Sequence, residues 1–380
     1  LRLLFVAHCF PPKNRPLSKV GGMQRVGIDL LAALKRRDDL EIDTLILHTA
    51  GVGMAIKAVP FYSFALTRIL KLCRSGRVDA VLFSAMASGW MSVLIKPLLA
   101  RNVPMATICH GHDVIMDVAP YQLLVRRMFA TLDAVFPVSR ATGARVLERG
   151  LPAERLHVIN NGIDLARYPA PPRREERRAI LARTFPEAAA ALQPEALVLC
   201  TTGRQIRRKG HAWFVDNVMP LLPAHVHFWL AGDGPEGPAI EAAAARHGLG
   251  GRVRRLGLLS DEQVANLYRG ADLFVMPNIA VEGDIEGFGV VLLEAGLNGM
   301  TSIAARLEGI EDAVTHGANG FLVESRDAQG FAAEIVRLDR DRDRLFALGQ
   351  AASQFTRQRF CWNEIAARYV EVLRAVASTS

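Results

Sequence analysis

The sequence predicts an α/β protein made of two doubly wound parallel-sheet domains. Three observations predict it. Short apolar runs alternate with amphipathic stretches along the chain, and several of those runs end in glycine-containing loops. The alternation is interrupted once, by the turn cluster Asn160-Asn-Gly-Ile-Asp164 and the Pro- and Arg-rich stretch 169–178. Continuous apolar runs suit strands buried on both faces. Strands separated by helices imply parallel sheets whose ligands collect beyond the carboxyl ends of the strands. At 380 residues the chain is long enough for two domains of ordinary size.

In the first half, strands are expected at Leu3–Ala7, Ile42–His48, Ala80–Phe83, Met105–Cys109, Ala134–Val138 and Leu156–Ile159. Helices are expected at Met23–Lys35 and near Phe64–Cys73, Trp90–Leu99, Leu123–Thr131 and Thr142–Glu148. The Pro-rich loop 8–20 runs into Gly21-Gly22 at a helix start. Two glycines there let a phosphate or sugar approach the backbone; a glycine hinge on a mobile loop explains them equally well. His110-Gly-His112-Asp113 follows the run Met105–Cys109. Two His and one Asp in one tight loop lack further ligands at metal spacing. The loop reads as a substrate contact, with one histidine a possible cap. Lys57–Arg77 sets Arg68, Lys71 and Arg74 at three-residue spacing beside Phe61, Tyr62 and Phe64. Such a helix suits a membrane interface, and a solvated basic face is the other reading.

In the second half, strands are expected at Leu197–Thr201, Val226–Ala231, Val253–Leu256, Leu273–Met276 and Ser302–Ala304, after a short Ala-rich helix within 186–194. Between the first strand and the helix His211–Met219 lies Gly203-Arg204-Gln-Ile-Arg207-Arg208-Lys209-Gly210. Arg204 and Lys209 flank this loop, where cations clamp a diphosphate or simply stand solvated. It is not a Walker A loop, because no Gly precedes the Lys and no Ser or Thr follows. Gly232-Asp-Gly234-Pro-Glu-Gly237 matches a dinucleotide fingerprint, but it opens the second βα unit of its domain and carries Pro235 in the turn. A nicotinamide dehydrogenase therefore has no further support. Helices at Arg342–Arg359 and Trp362–Val376 end the chain.

The stretch Glu282-Gly-Asp-Ile-Glu286-Gly287-Phe288-Gly289-Val290-Val-Leu-Leu-Glu294 is a glycine-rich turn entering a helix. Its first amides and the positive end of the helix dipole make a seat for an anion. Glu294 lies roughly 12 Å beyond Glu286 at about 1.5 Å per residue. That is too far to share one metal, but suitable for holding hydroxyls at two ends of an elongated ligand. A glycine-rich loop with a surface Glu is the alternative; the cations Arg204 and Lys209 favour the ligand frame.

Composition narrows the function classes. Five cysteines (Cys9, Cys73, Cys109, Cys200, Cys361) stand singly, against a disulfide framework or a zinc site and in keeping with a reducing cytosol. The apolar opening breaks at Pro11-Pro12 without a basic lead or cleavage site, so a buried strand is expected and not a signal peptide. Residues 1–164 carry 21 Lys and Arg against 12 Asp and Glu, the remainder 25 against 26. The basic excess sits entirely in the first half, pointing to an anionic surface or substrate. No nucleic-acid reading motif is interleaved with it, so no nucleic-acid partner is expected.

Taken together, these residues resemble the retaining, nucleotide-sugar-dependent glycosyltransferases of family 4. The carriers are Phe10-Pro-Pro with Gly21-Gly22, His110-Gly-His-Asp113, Val158–Asp164, Gly203-Arg204 with Lys209-Gly210, Gly232-Asp-Gly-Pro235, Ala271–Pro277, the Glu286/Glu294 pair around Glu-Gly-Phe-Gly, and Asn319–Val323. Gly-Asp-Ile-Glu-Gly-Phe-Gly also resembles the lipid-acceptor mannosyltransferase branch. The resemblance spans nearly the whole chain and implies the GT-B fold, two Rossmann-like domains facing across a cleft. Residues 1–165 would bind the acceptor, 166–361 the donor, and the helix in 362–380 would return to the first domain.

The implied site follows residue by residue. Arg204 and Lys209 would neutralise the donor diphosphate. Glu294 would hold the ribose hydroxyls, and Glu286 with the amides of Gly287–Gly289 the transferred sugar. Phe288, Val290, Gly203, Gly232 and Gly22 would complete the donor site. His110 would contact the sugar, and Gly21, His112 and Asp113 the acceptor. A donor phosphate oxygen would deprotonate the acceptor, so no metal, other cofactor or side-chain nucleophile is implied. The donor would be a UDP- or GDP-sugar and the acceptor a glycolipid or polysaccharide precursor, or else a soluble small molecule. The expected location is cytoplasmic, peripheral on the inner face of the plasma membrane. Two departures leave the donor's identity open. Gly299-Met-Thr-Ser-Ile-Ala stands where the family has Pro and β-branched residues, and Arg306-Leu-Glu308-Gly309 stands where it has Gly-Gly.

Overall fold

The computed structural model describes residues 1–12, 21–49, 54–116 and 118–378, with the backbone alone for 54–57. The loop 13–20 and the Lys57 side chain, both invoked above, lie outside the described residues. The chain forms two compact units, Leu1–Gly162 with Cys361–Ser380, and Ile163–Phe360.

The first unit holds β1 (Arg2–Phe10), β2 (Glu41–His48), β3 (Ala80–Phe83), β4 (Met105–Cys109) and β5 (Ala134–Pro137). They form one parallel sheet in the order β2-β1-β3-β4-β5. β3, β4 and β5 are buried along their whole length, as their unbroken apolar runs require. Leu156–Ile159, expected as a further strand, makes a single bridge at Leu156. It does run beside β5, with His157 N and Ile159 N donating to the carbonyls of Val135 and Pro137 at 3.0 Å each. Pro137 has no N–H to return, so the ladder cannot continue. The segment around Trp90–Leu99 breaks into two short helices and a 3-10 turn at Lys96–Leu98, where Pro97 removes a donor.

The second unit holds β6 (Leu197–Thr202), β7 (Val226–Ala231), β8 (Val253–Gly257), β9 (Leu273–Met276), β10 (Ser302–Arg306) and β11 (Gly320–Glu324). Their parallel order is β11-β10-β9-β6-β7-β8. In each sheet the strand order reverses beside the first strand laid down, between β1 and β3 and between β6 and β9. Such switch points open crevices at the strands' carboxyl ends.

Part of the stretch expected as a Pro- and Arg-rich boundary is the helix Arg174–Thr184, which buries Arg177. The Arg177 guanidinium donates to the carbonyls of Ala271 (2.8 Å) and Gly299 (2.5 Å), just past the ends of two helices. The partial negative charge at those ends offsets its burial.

The final helix, Trp362–Ser378, packs within the first unit through Trp362, Tyr369 and Leu373. Tyr369 meets Phe136 of β5 edge-to-face at 4.8 Å, and Arg374 reaches Asp39 at 2.8 Å. A Cβ on Gly162 would lie 2.6 Å from the Trp362 indole, so only glycine fits there. Gly162→Ala is therefore expected to lower unfolding stability by about 1–3 kcal/mol through overpacking, read as a lower denaturant midpoint for the first unit's transition.

Candidate active site

In the second unit the loops after β6 and β9 meet at the switch point. Gly210 has φ +66°, and a Cβ there would collide with the Pro277 carbonyl, so both conformation and space demand glycine. Ile279 N donates to the Arg208 carbonyl at 2.9 Å. These contacts fasten the Arg207–Lys209 turn against the segment carrying Glu286.

Glu286 is buried, with only 9% of its surface exposed. Its Oε2 accepts from Lys209 Nζ (2.6 Å), Asn278 Nδ2 (2.9 Å) and Arg208 Nη1. Arg208 also donates from Nε to Asp284 Oδ1 at 3.0 Å. Burial pushes the Glu286 carboxyl up, but Lys209 and Arg208, helped by the Lys209 and Asn278 hydrogen bonds, outweigh it and bring it down to about 2. Glu286 thus stays ionised, with Oε1 not engaged by these three donors. Arg208, Asn278 and Asp284 were not singled out from the sequence. The signal for Arg208 was the unbroken Arg207-Arg208-Lys209 run; nothing there says which member turns inward. Arg204 is exposed and its guanidinium has no ion-pair partner among the described residues.

The departure at Glu308-Gly309 has a structural counterpart. Gly309 is essential for packing, since a Cβ would collide with the Gly287 carbonyl, and its N–H donates to the Glu286 carbonyl at 3.1 Å. Glu308 takes the left-handed φ of +52°, and its Oε2 accepts from Glu286 N at 2.5 Å. The Glu308 carboxylate is thus part of the turn that holds Glu286.

Gly289, at φ +87°, precedes the helix Val290–Leu297; its carbonyl accepts from Leu292 N at 3.0 Å, while the amides of Val290 and Val291 lie too early in the helix for an intrahelical acceptor. Val290 is half-buried. Phe288 is 2% exposed and meets Phe360 edge-to-face at 5.9 Å, so its side chain belongs to the core, and only its backbone remains for a ligand. Glu294 is buried, and the Tyr268 hydroxyl donates to its Oε2 at 3.1 Å. Thr202 Oγ1 lies 2.5 Å from the same phenol oxygen, so a chain from the end of β6 orients Glu294. Burial, then the Glu294 charge, push the Tyr268 phenol up and keep it a donor. Gly232 donates to the Gly257 carbonyl (2.7 Å) and accepts from Gln205 Nε2 (2.9 Å), and the Gly203 carbonyl fills its Cβ space. Gly203 and Gly232 thus let two loops pack, with the backbone polar groups of Gly232 already engaged.

In the first unit His110 ends β4, and its Nε2 lies 2.9 Å from the Ser84 carbonyl at the end of β3. Neutral His110 therefore carries its proton on Nε2 and leaves Nδ1 as an acceptor. Asp113 Oδ1 accepts from His110 N at 2.9 Å, so this carboxylate shapes its own loop, while His112 is exposed. His8, at the end of β1 and unremarked in the sequence, is lowered to about 4 by burial and then by His110. Gly21 N donates to Gln24 Oε1 at 3.2 Å, closing the helix start. Gly22 has no positive φ, and a Cβ there would meet nothing within 4 Å among the described residues. No packing among the described residues demands glycine at 22.

Residues 20–167 match the model described as Glycosyltransferase Family 4, and residues 196–341 the model described as Glycosyl transferases group 1. D-inositol 3-phosphate glycosyltransferase 1 of Catenulispora acidiphila is 31% identical over 313 residues, 76% of this chain and 71% of that protein. The chain belongs to the family 4 glycosyltransferases. This family 4 glycosyltransferase is also 28% identical, over 81% of its own length and 78% of the relative's, to the GDP-mannose-dependent alpha-(1-6)-phosphatidylinositol monomannoside mannosyltransferase of Mycobacterium tuberculosis. The structure of Anabaena HepE in complex with UDP shares its fold, with a TM-score of 0.74 and 21% identity over 99% of this chain and 100% of that one. The fold is GT-B, with two parallel-sheet domains.

Two outcomes test this family 4 site. Glu286 has a depressed folded value, so its stabilisation is present above the ordinary 4.5 and is lost as pH falls towards about 2. The stability gap between wild type and Glu286→Gln should be constant from about pH 7 to about pH 5 and narrow below; a pH-independent gap in denaturant unfolding would contradict this. Gly22→Ala should leave stability unchanged or raise it by up to about 1 kcal/mol while lowering turnover at least about tenfold, read by thermal melting beside a rate assay.

Proposed function

We propose that this glycosyltransferase moves a sugar from a nucleoside diphosphate sugar, with retention and without a metal, to a glycolipid or polysaccharide-precursor acceptor. The observation that carries it is the buried, ionised Glu286 beside Lys209 at the switch point, one turn ahead of a helix N-terminus. Arg204 and Lys209 would take the donor diphosphate, Glu294 the ribose, and Glu286 with the amides of Gly287–Gly289 the sugar. His110 and Gly22 would serve the sugar and donor from the first unit, and Gly21, His112 and Asp113 the acceptor. The donor's anomeric carbon–oxygen bond would break as the acceptor oxygen bonds on the same face. The acceptor proton would pass to the departing phosphate oxygen. Cations near that oxygen stabilise charge where it develops.

The glycolipid acceptor is supported by the mycobacterial relative, whose name gives phosphatidylinositol monomannoside. A soluble acceptor is the second reading, favoured by the relative named for D-inositol 3-phosphate. No helix among the described residues is long and apolar enough to cross a membrane. A peripheral position on the cytoplasmic face of the plasma membrane would use the helix Met54–Arg74. There Val59 and Phe64 are 70% and 60% exposed, and Lys71 and Arg74 are exposed further along. Apolar anchors beside cations suit an anionic bilayer.

Purified protein should turn over a UDP-, GDP- or ADP-sugar, retain the anomeric configuration by NMR, and keep its rate in chelator. Glu286→Ala should lower the rate at least about a hundredfold with the fold intact. Absence of transfer from every such donor would sink the reading. In vesicle sedimentation the protein should prefer anionic over neutral lipid; equal partition would leave Met54–Arg74 a solvated face.

A further inference from the structure

Two cations share one oxygen of Glu286, but they are held differently. The Arg208 side chain is as buried as that of Glu286 and uses two separate nitrogens, Nε to Asp284 Oδ1 at 3.0 Å and Nη1 to Glu286 Oε2. Its carbonyl is also tied to Ile279 N at 2.9 Å. The Lys209 ammonium has one acceptor among the described residues, Glu286 Oε2 at 2.6 Å. A planar guanidinium can span two carboxylates, which a single ammonium on a flexible stem does less well. Arg208 is clamped at both ends and Lys209 is tethered at one.

We propose that Arg208 is the standing counter-ion of Glu286 and Lys209 the exchangeable one. When a donor diphosphate arrives, Lys209 leaves the carboxylate for a phosphate oxygen, while Arg208 remains and keeps Glu286 ionised and oriented. This rests on the glycosyltransferase reading above and makes Arg208, anchored by Asp284, a positioning residue for the sugar-binding carboxylate. The charged groups facing Glu286 fit the exchange. Arg208 and Lys209 come from the loop after β6, Asp284 from the segment of Glu286 itself, and Glu308 from the loop after β10. Without Arg208, departure of Lys209 would leave three acidic side chains with no cation among them, and Glu286 would tend to take up a proton. With Arg208 in place, Glu286 keeps its charge through the exchange.

The two cations therefore separate by ligand. Arg208→Met should leave affinity for UDP, GDP or ADP, whichever the wild type binds, within about threefold, because these lack the sugar. It should lower kcat with the matching nucleotide sugar at least about a hundredfold and move the acid limb of kcat/KM upward. Arg208→Lys should recover little of that loss, and Asp284→Asn should lower kcat by a smaller factor. Lys209→Met should instead weaken nucleoside diphosphate binding about tenfold or more. Melting temperatures are read alongside; if Arg208→Met does not fold, Arg208→Lys and Asp284→Asn carry the same comparison. Unchanged kcat and acid limb in the folded variants would overturn the proposal. So would an equal loss of diphosphate affinity in the Arg208 and Lys209 variants. A wild type that binds no nucleoside diphosphate would instead overturn the glycosyltransferase reading itself.

Discussion

A carboxylate removed from water stays charged only when cations and hydrogen-bond donors replace what the solvent gave it. Glu286 meets that condition with Lys209, Arg208 and Asn278 converging on one oxygen. Much of the second unit's local architecture serves that convergence. Gly210 lets the cationic turn press against Pro277, and Gly309 lets the next loop close on Gly287. Glu308 adopts a conformation unusual for a side-chain-bearing residue so that its carboxylate can receive the Glu286 amide. A second carboxylate, Glu294, is oriented by neutral donors, Tyr268 backed by Thr202. One acid is held by charge and the other by hydroxyls, in keeping with different ligands for each.

Strands buried on both faces were the most legible part of the fold, because a run such as Leu197–Thr202 admits few alternatives. Legibility failed where one residue governed. Pro137 cut short a strand whose own sequence was suitable. The polar composition of Arg174–Thr184 disguised a helix that buries Arg177 beside its two apolar anchors, Ile180 and Leu181. In the second unit the ordered spacing of Glu286, Glu294 and Lys209 was visible, and in the first the loop of His110. Arg208 was not, because in a 3-10 turn with three residues per revolution successive side chains diverge, and which one faces inward is fixed by contacts distant in sequence, with Asp284, Glu286 and Ile279. At Phe288 a motif position keeps only its backbone for a ligand, because its side chain fills the core.

The glycines divide along similar lines. Gly162, Gly210, Gly232 and Gly309 sit where another part of the chain occupies the space of a side chain. Gly22 meets no such neighbour among the described residues, although it too belongs to a motif. Glycine serves two purposes in such proteins, close approach of the chain to itself and close approach of a ligand to the chain, and packing separates them where sequence cannot.

The last helix gives the order of synthesis a consequence. The second unit is one uninterrupted segment, Ile163–Phe360, whereas the first is completed only by Cys361–Ser380. On the ribosome, residues 1–162 emerge before the second unit but lack Trp362 and Tyr369, whose rings fill the space beside Gly162 and Phe136. Domains that are continuous in sequence fold as they appear; this first unit must wait. A nascent chain stopped just after Phe360 would hold every residue of the Glu286 cluster and none of the final helix, leaving the apolar seat around Phe136 without its Tyr369 cover.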